Sequence, residues 1–364
     1  MDDRPRGMEG VVSRLEWRGV RVLVTGHTGF KGGWLSLWLE ALGAEVHGIA
    51  LAPSTTPALF DAVGLDRLVR GVECDVRDQR KFSAALEAAA PAVVFHLAAQ
   101  PLVRESYASP VETYATNVMG TVHLLEAVRR APSVRAVVVV TTDKCYENRE
   151  WLWGYREDEA LGGHDPYSSS KACTELVAAA YARSFFAVSG APAIATARAG
   201  NVVGGGDWAA DRLVPDFVRA ANERRAMVIR NPLAVRPWQH VLDPLSGYIQ
   251  LAERLLDDPA VARGAWNFGP SDEDARQVGW VADQIAEHWG GAARWTLDER
   301  EQPHEARLLK LDCSKARTLL GWTPRLPLRE ALAWTVNWYR GYYAGTDALA
   351  LCRAQIHDYE SLMR

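Results

Sequence analysis

Residues 165–171 hold a tyrosine and a lysine whose spacing suits proton transfer. They open an apolar run that predicts a buried helix, on which Tyr167 and Lys171, four residues apart, share one face. A phenol has a pKa near 10, so a tyrosine that acts as a base near neutral pH needs its pKa lowered by about three units. A lysine ammonium and a cationic nicotinamide ring both favour the phenolate. The pair therefore suits the removal of a proton from a hydroxyl while hydride leaves its carbon. Because such pairs also occur on helix surfaces, this interpretation requires a dinucleotide site elsewhere.

A glycine-rich turn near the start of the chain is the candidate dinucleotide site. It follows a β-branched run at 21–25 and precedes a helix-period stretch at 34–42, the context in which a glycine motif is informative. The turn carries glycines at intervals of three, namely Gly26, Gly29 and Gly32. Glycines let the backbone approach a pyrophosphate, which then rests on the helix N-terminus. Two unusual residues in the turn, His27 and Lys31, contact cofactor phosphate or ribose in one interpretation and solvent in the other.

Strand-like runs alternate with helix-like runs between residues 21 and 200. Near-continuous apolar strands are typical of parallel sheets that are covered on both faces. The sequence predicts an α/β fold, a Rossmann-type doubly wound parallel sheet, with its ligand at the carboxyl ends of the strands. The predicted strands are 21–25, 46–51, 71–76, 92–99, 137–142 and 193–198. Ala52 stands where an acidic residue would select NAD or an arginine NADP, so the residues alone leave that choice open.

The chain divides into an extension and two larger parts. Beyond about residue 203 the alternation loosens, and tryptophan, arginine, glycine and proline become prominent. A smaller, discontinuous C-terminal substrate-binding region is therefore expected beside the sheet, with helices at 278–289 and 328–343. The expected parts are a flexible extension at 1–18, a dinucleotide-binding domain at 19–202 plus about 238–263, and a substrate region at about 203–237 and 264–364.

Composition narrows the classes of function. The 364 residues have 48% hydrophobic and 24% charged content with a net charge of -4, which argues against nucleic acid as a partner. The five cysteines are scattered without a Cys-x-x-Cys pair, which indicates reduced thiols in the cytoplasm and neither disulfides nor a zinc site. No apolar run approaches the roughly 20 residues of a membrane span, and the N-terminus lacks the apolar core of a signal peptide. We expect no metal site.

Six motifs carry a resemblance to a known family, at residues 24–32, 98–104, 117–121, 143–146, 204–208 and 236–240. On them the chain resembles the extended short-chain dehydrogenase/reductase superfamily and, within its nucleotide-sugar dehydratase and epimerase branch, the subgroup that acts on CDP-glucose. The histidine and lysine in the glycine turn and the pair Asp143-Lys144 are similar to that subgroup. The similarity runs from about residue 20 past residue 315.

The resemblance implies an internal redox dehydration that uses recycled NAD and gives CDP-4-keto-6-deoxy-glucose. Tyr167 would deprotonate the glucose 4-hydroxyl as the C4 hydride moves to the nicotinamide. Lys171 would lower the phenol pKa and hold the ribose, and Thr142 would hydrogen-bond the same hydroxyl. Water would then leave across C5 and C6, and the hydride would return to C6.

Asp143 and Lys144 distinguish this reaction from plain alcohol oxidation. A protonated Asp143 would donate to the departing C6 hydroxyl, as general acids do when burial raises their pKa. The alternative is a strand-end carboxylate bonded to backbone amides. Lys144 stands where the dTDP-glucose relatives have a glutamate that serves as C5 base. It is either a neutral base or a cation that steadies the enolate, with another residue or water taking the proton.

Further residues are expected to bind the two nucleotides. The cofactor candidates, beside Tyr167 and Lys171, are Gly26, His27, Gly29, Phe30, Lys31, Gly32, Asp75, Val76, Leu97, Ala98 and Ala99. Arginines offer forked donors that suit the diphosphate of CDP-glucose. The substrate candidates are Gln100, Arg104, Asn117, Arg198, Asn201, Arg212, Leu213, Arg230, Arg236 and His304. We interpret His96 as a satisfied core histidine, and His240 and Asp243, at a strand-to-helix junction, as a cap or structural pair.

Oligomeric state and function each have alternatives. Helices at 117–130 and 168–185 would form a four-helix contact in a homodimer, or a tetramer built from such dimers. Another nucleotide-sugar dehydratase, or an epimerase or reductase on the same scaffold, would share Tyr167, Lys171 and the glycine turn. A regulatory protein that senses dinucleotide without chemistry is the third hypothesis; such proteins tend to lose one member of the pair, which this chain keeps.

Overall fold

A computed structural model describes residues 16–291, 293–298 and 308–364. Most of the predicted extension at 1–18, and His304, lie outside these residues. The strands are β1 Arg21–Thr25, β2 Glu45–Ala50, β3 Arg70–Glu73, β4 Val93–His96, β5 Ala136–Val140, β6 Ala193–Ala199, β7 Asn201–Val203, β8 Met227–Ile229, β9 Val235–His240, β10 Gly264–Phe268, β11 Ala275–Gln277 and β12 Trp295–Leu297. The helices are α1 Phe30–Ala41, α2 Leu59–Ala62, α3 Gln79–Ala89, α4 Val103–Ala108, α5 Pro110–Tyr114, α6 Gly120–Val128, α7 Pro166–Phe185, α8 Leu213–Asn222, α9 Leu242–Asp257, α10 Pro259–Ala262, α11 Val278–Trp289, α12 Ser314–Leu320, α13 Leu328–Tyr343 and α14 Ala348–Met363.

Seven parallel strands form the main sheet, in the order β3-β2-β1-β4-β5-β6-β10. Strand order reverses between β1 and β4, the switch point at which doubly wound folds bind ligands. The predicted fold class is confirmed. Strand β10 belongs to this sheet, although the prediction placed residues 264–268 in the substrate region. The sequence did not reveal β10, because the alternation of strand-like and helix-like runs loosens beyond about residue 203. Its Trp266 and Phe268 are nevertheless fully buried.

Both faces of the sheet are covered, because side chains along each strand alternate between the faces. In β1, Val22 and Val24 join a core that includes α1 and α9. Leu23, between them, joins a second core that includes α3 and α6. The β-branched runs that predicted the strands are therefore buried on both sides, as a parallel sheet requires.

The substrate region is built from small sheets and helices beside the main sheet. Strands β11-β9-β7 form one small sheet and β12-β8 another. Helices α11 and α13 have the predicted bounds. Helix α14 was not predicted; Tyr359 on it packs edge-on against Trp38 of α1, with 5.5 Å between ring centroids. No helix in the described ranges is apolar over enough length to cross a bilayer.

Asn267 on β10 joins four segments of the chain. Its Oδ1 accepts a hydrogen bond from the Tyr146 hydroxyl at 2.8 Å. Its Nδ2 donates to the carbonyl oxygens of Tyr155 at 2.8 Å and Asp312 at 3.1 Å. All of these contacts lie beside the turn that follows β5, where the candidate catalytic residues are found.

Candidate active site

A cavity of about 1040 Å³ opens at the carboxyl ends of the main strands and extends to the substrate region. All five catalytic candidates line it: Thr142, Asp143, Lys144, Tyr167 and Lys171. So do the cofactor candidates Gly26, Gly29, Phe30, Lys31, Gly32, Asp75, Val76, Leu97, Ala98 and Ala99, and the substrate candidates Arg104, Asn201, Arg212, Leu213, Arg230 and Arg236. Four candidates in the described residues do not line it: His27, Gln100, Asn117 and Arg198.

The glycine turn has the features of a pyrophosphate cradle. Gly26 has a φ of +73°, and a Cβ there would lie 2.8 Å from the amide nitrogen of Ala98. A Cβ on Gly32 would clash with the carbonyl oxygen of Gly26. Helix α1 begins after Gly29 with no side chain capping it and no acidic residue in its first turn. Its N-terminal amides are thus open to an anion, and the residues present fit the pyrophosphate of a dinucleotide.

The His27 side chain is buried and does not line the cavity, so its solvent-exposed alternative is wrong, and a contact with the cofactor stays a prediction. The imidazole is buried and packs edge-on against Phe60. It fills the space above two strands, where a Cβ on Gly48 would clash with the ring and one on Gly71 would lie 3.0 Å from Nε2. Burial lowers the pKa of His27 to about 4, so the ring is neutral near pH 7.

Lys31 reaches into the catalytic part of the cavity. Its Nζ donates to the hydroxyl of Tyr248 at 3.1 Å, a contact that the sequence did not predict. Burial lowers the pKa of Lys31 to about 7. The positive charges of Lys171 and Arg212 also lower this pKa, whereas the negative charge of Asp143 raises it. The solvent-exposed alternative for Lys31 is therefore wrong.

Helix α7 presents Tyr167 and Lys171 as predicted. Asp165 caps it by accepting from the Ser168 amide at 2.9 Å, and Pro166 occupies the first helical position. Tyr167 therefore lies in the first turn and Lys171 one turn later. The Lys171 Nζ donates to the carbonyl oxygen of Val140, at the end of β5, at 3.1 Å.

The surroundings of Tyr167 include charges that the sequence did not predict. Burial raises the pKa of Tyr167 to about 12, and Asp143 acts in the same direction. A hydrogen bond with Thr142 and the charge of Arg212 lower it. Burial lowers the pKa of Lys171 to about 8, while Glu175 raises it. Arg212 is thus a cation near Tyr167 that the sequence did not predict, and the role of Lys171 toward the phenol stays a prediction.

The turn after β5 carries Asp143, the second catalytic candidate. The hydroxyl of Thr142 donates to Asp143 Oδ1 at 3.0 Å and accepts from the Lys144 amide at 3.3 Å. Asp143 is 2% exposed, and its Oδ2 has no hydrogen-bond partner among the described residues. Burial raises the pKa of Asp143, against the charges of Lys144 and Arg236. A buried, half-satisfied carboxyl of this kind can hold and donate a proton.

Beneath this turn lies a buried ion pair that the sequence analysis missed. Glu175 accepts from Arg198 Nε and Nη2, both at 2.9 Å, and both side chains are 3% exposed. Glu175 also accepts from Thr141 at 2.5 Å and Thr196 at 2.6 Å, and Arg198 donates to the Tyr146 hydroxyl at 2.7 Å. Arg198 thus stabilises the turn after β5 from its buried side. This corrects the prediction that Arg198 binds the substrate. In the sequence, the signal that could have revealed this ion pair is the position of Glu175, four residues after Lys171.

Gln100 and Asn117 are likewise structural in this chain. Asn117 Oδ1 accepts from the Gln100 amide at 2.8 Å, and its Nδ2 donates to the Ser170 hydroxyl at 2.8 Å. Asn117 lies in a π-helical turn, Ala115–Met119, between α5 and α6. The two residues join the loop after β4 to α7, which explains why neither faces the cavity.

The arginines of the substrate region form ion pairs around the outer cavity. Arg212 donates to Asp207 Oδ2 at 2.8 Å. Arg104 and Arg230 both lie near Asp211 Oδ1, at 3.3 and 3.6 Å. The two aspartates were not predicted as site residues; Asp207 lies in the quoted motif at 204–208, and Asp211 had no pattern to mark it.

His96, His240 and Asp243, which we interpreted as structural, are buried. The contacts described for His240 and Asp243 do not join the two residues; the Leu242 amide, at the start of α9, donates to His240 Nδ1 at 3.4 Å. His96 shares a 2.8 Å hydrogen bond with Thr25 inside the sheet. Asp243, near the start of α9, accepts from the Arg325 amide at 2.7 Å and the Tyr359 hydroxyl at 2.8 Å. The described residues hold no cluster of three His, Cys, Asp or Glu side chains able to bind a metal ion.

Fold, glycine turn and Tyr/Lys pair together define the class of this protein: it is a short-chain dehydrogenase/reductase of the nucleotide-sugar branch. Within that class, the sequence model of the family described as GDP-mannose 4,6 dehydratase matches residues 23–335. The chain belongs to this family.

Three similar proteins are informative. CDP-glucose 4,6-dehydratase of Salmonella typhimurium is 53% identical over 355 residues, covering 96% of this chain and 99% of that protein. The structure of MoeE5 in complex with UDP-glucuronic acid and NAD is 27% identical, with a TM-score of 0.74 over 88% of this chain and 99% of that one. The structure of dTDP-glucose 4,6-dehydratase from Bacillus anthracis in complex with NAD is 22% identical, with a TM-score of 0.74 over 91% of this chain and all of that one, and shows the shared fold.

Proposed function

We propose that this protein is an NAD-dependent CDP-glucose 4,6-dehydratase, a hydro-lyase that converts CDP-glucose into CDP-4-keto-6-deoxy-glucose for deoxysugar biosynthesis. One observation carries the proposal: the Tyr167 phenol and the Asp143 carboxyl line the same cavity, beside the glycine turn. The identity of 53% to a CDP-glucose 4,6-dehydratase along almost the whole chain supports the nucleotide and the reaction.

The glycine turn, with Asp75, Val76 and residues 97–99, would hold the dinucleotide. When bound, NAD supplies hydride acceptance and return, and is recovered unchanged. The chain's own residues move the protons. Tyr167 Oη takes the proton of the 4-hydroxyl, while Thr142 orients that hydroxyl. Because burial raises the phenol pKa, Arg212 and the Thr142 hydrogen bond are needed to offset part of that rise.

The elimination uses the turn after β5. A protonated Asp143 donates from its unpartnered Oδ2 to the departing 6-hydroxyl, since burial keeps its pKa raised. We assign Lys144, which also lines the cavity, to the C5 side of the sugar. It acts there either as a base or as a cation that stabilises the enolate. If the Lys144→Met variant still dehydrates the substrate at the wild-type rate, Lys144 takes no part in the chemistry.

The first experiment tests the substrate and reaction together. Purified protein with added NAD is incubated with CDP-, dTDP-, GDP- and UDP-glucose, and product masses are recorded. We expect loss of one water from CDP-glucose. A product of unchanged mass would support the epimerase alternative, and water loss from a different nucleotide sugar would correct the base.

Tyr167→Phe tests the catalytic assignment. We expect turnover to fall by a factor on the order of 10²–10⁴, the usual contribution of general acid–base catalysis. Tyr343→Phe, which changes an exposed phenol outside the cavity, is the matched control. Undiminished turnover in the Tyr167 variant would refute the assignment.

A cytoplasmic homodimer is also part of the proposal. Five free cysteines support the compartment. Apolar side chains exposed on adjacent helices support the dimer: Val111 and Tyr114 on α5 and Leu176 and Phe185 on α7. Val111→Asp with Leu176→Asp is expected to yield monomers in sedimentation. Leu233→Asp, an exposed leucine outside these helices, serves as control; dimers that survive the double variant would exclude this face.

A further inference from the structure

Asp211 lies between two arginines that come from opposite sides of the cavity. Arg104 lies on α4, which follows β4 of the main sheet, and Arg230 directly follows β8 of the substrate region. Both guanidiniums point to the same oxygen, Asp211 Oδ1, at 3.3 and 3.6 Å. All three residues line the cavity, so the carboxylate connects its two sides.

The chemistry of this carboxylate resembles that of the group the arginines would bind. Guanidinium forks pair with carboxylate and with phosphate oxygens in the same geometry. Arg212, the neighbouring cation, is similarly paired with Asp207. A diphosphate that enters this part of the cavity therefore meets arginines that already hold carboxylates, and its own negative charge is repelled by Asp211.

The exposure of the two aspartates decides which of them a ligand can displace from its arginine. Asp207 is 5% exposed and also accepts a backbone hydrogen bond from Ala209, so its pair with Arg212 is fixed. The Asp211 side chain is 46% exposed, and those of Arg104 and Arg230 are 51% and 27% exposed. Ion pairs with this much solvent around them contribute little and exchange readily.

Resting on the proposed function, we propose that Asp211 is an internal competitor of the substrate's diphosphate, which displaces it from Arg104 and Arg230 on binding. Asp211 thus lowers the affinity for every nucleoside diphosphate. It also makes Arg104 and Arg230 available only to a ligand that carries more negative charge than one carboxylate.

Calorimetric titration with CDP and with cytidine tests this proposal. The proteins are the NAD-saturated wild type, Asp211→Asn, and Glu223→Gln as matched control. Glu223 is an exposed carboxylate paired with Arg225 outside the cavity. We expect Asp211→Asn to lower the Kd for CDP by about three- to tenfold, in keeping with the small contribution of exposed ion pairs. Cytidine, which lacks phosphate, should bind wild type and Asp211→Asn alike, and Glu223→Gln should leave both affinities unchanged.

The opposite result has an equally clear meaning. If Asp211 instead holds the arginines ready for substrate, Asp211→Asn will bind CDP more weakly, which overturns the proposal; unchanged affinity overturns it too. Asp211→Ala, checked for its melting temperature, repeats the test without an amide. Turnover of CDP-glucose by the wild type separates this inference from the proposed function. If that turnover is absent, the titration is made with whichever of UDP, GDP or dTDP the wild type binds, and binding of none overturns both proposals.

Discussion

Two sets of carboxylate–guanidinium ion pairs differ in their burial: Glu175 with Arg198, and Asp211 with Arg104 and Arg230. The Glu175–Arg198 pair is buried under the turn after β5, and its carboxylate oxygens accept four hydrogen bonds from Arg198, Thr141 and Thr196. The Asp211 side chain at the outer cavity is 46% exposed, and its distances to Arg104 and Arg230, 3.3 and 3.6 Å, are longer. The ion pair beneath the candidate catalytic residues is thus held by several hydrogen bonds, whereas the arginines proposed to bind the diphosphate pair with an exposed carboxylate.

Glu175→Ala should give the largest effect, because it leaves the Arg198 guanidinium buried without its counter-charge. We expect a loss of about 3–5 kcal/mol in the free energy of unfolding, measured by urea denaturation. Glu223→Ala removes one side of an exposed pair and should cost less than about 1 kcal/mol. Equal losses in the two variants would show that burial does not distinguish the two kinds of pair.

Asp243 adds a third case to the two sets of ion pairs, because it is a buried carboxyl whose hydrogen-bond donors are neutral. Burial raises its pKa to about 6, above the unfolded value of about 3.9. The folded state therefore binds the proton more tightly, and stability from this group is full below pH about 4 and is lost as the pH rises through about 6. Asp243→Asn should remove that decline. Between pH 4 and pH 7 the free energy of unfolding of the wild type should fall by on the order of 2–3 kcal/mol more than that of the variant. Urea denaturation at the two pH values measures it; parallel pH profiles would refute the assignment.

Asp211→Asn should give the smallest change in stability, because asparagine tolerates the left-handed backbone that Asp211 adopts at a φ of 60°. Both of its pairs are solvent-exposed, so we expect a loss below about 1 kcal/mol in the free energy of unfolding. The measurement is again urea denaturation, with Glu175→Ala beside it. A loss as large as that of Glu175→Ala would mean that Asp211 is part of the structural frame and unable to yield to a ligand.

Local pattern sufficed for the sheet and for the groups that lie on it. The β-branched runs, the glycine turn and the Tyr167–Lys171 spacing each depend on residues close in sequence, and the structure has them as predicted. The burial of His27 and the ion pair of Arg198 were not predicted, because both depend on distant partners. His27 fills space left by Gly48 and Gly71, and Arg198 faces Glu175, 23 residues earlier. Periodicity carries no information on such pairings.

The charge around the base was unpredictable for a similar reason. Spacing on the helix predicts that Lys171 favours the Tyr167 phenolate, which stays a prediction, and the Lys171 ammonium also donates to the β5 carbonyl. Arg212, from the loop before α8, acts on the phenol from across the cavity. Only the packing of the substrate region onto the sheet brings that cation to α7.

The bonds of Asn267 have a consequence for synthesis of the chain. The Tyr146 hydroxyl, beside the turn after β5, donates to a side chain 121 residues further on. During translation the first 200 residues contain the glycine turn, Asp143 and Tyr167, yet this anchor of the turn has still to leave the ribosome. A nascent or truncated protein that ends before residue 264 lacks both the seventh strand and that anchor, so competence for nucleotide-sugar chemistry arises late, after most of the chain has been made.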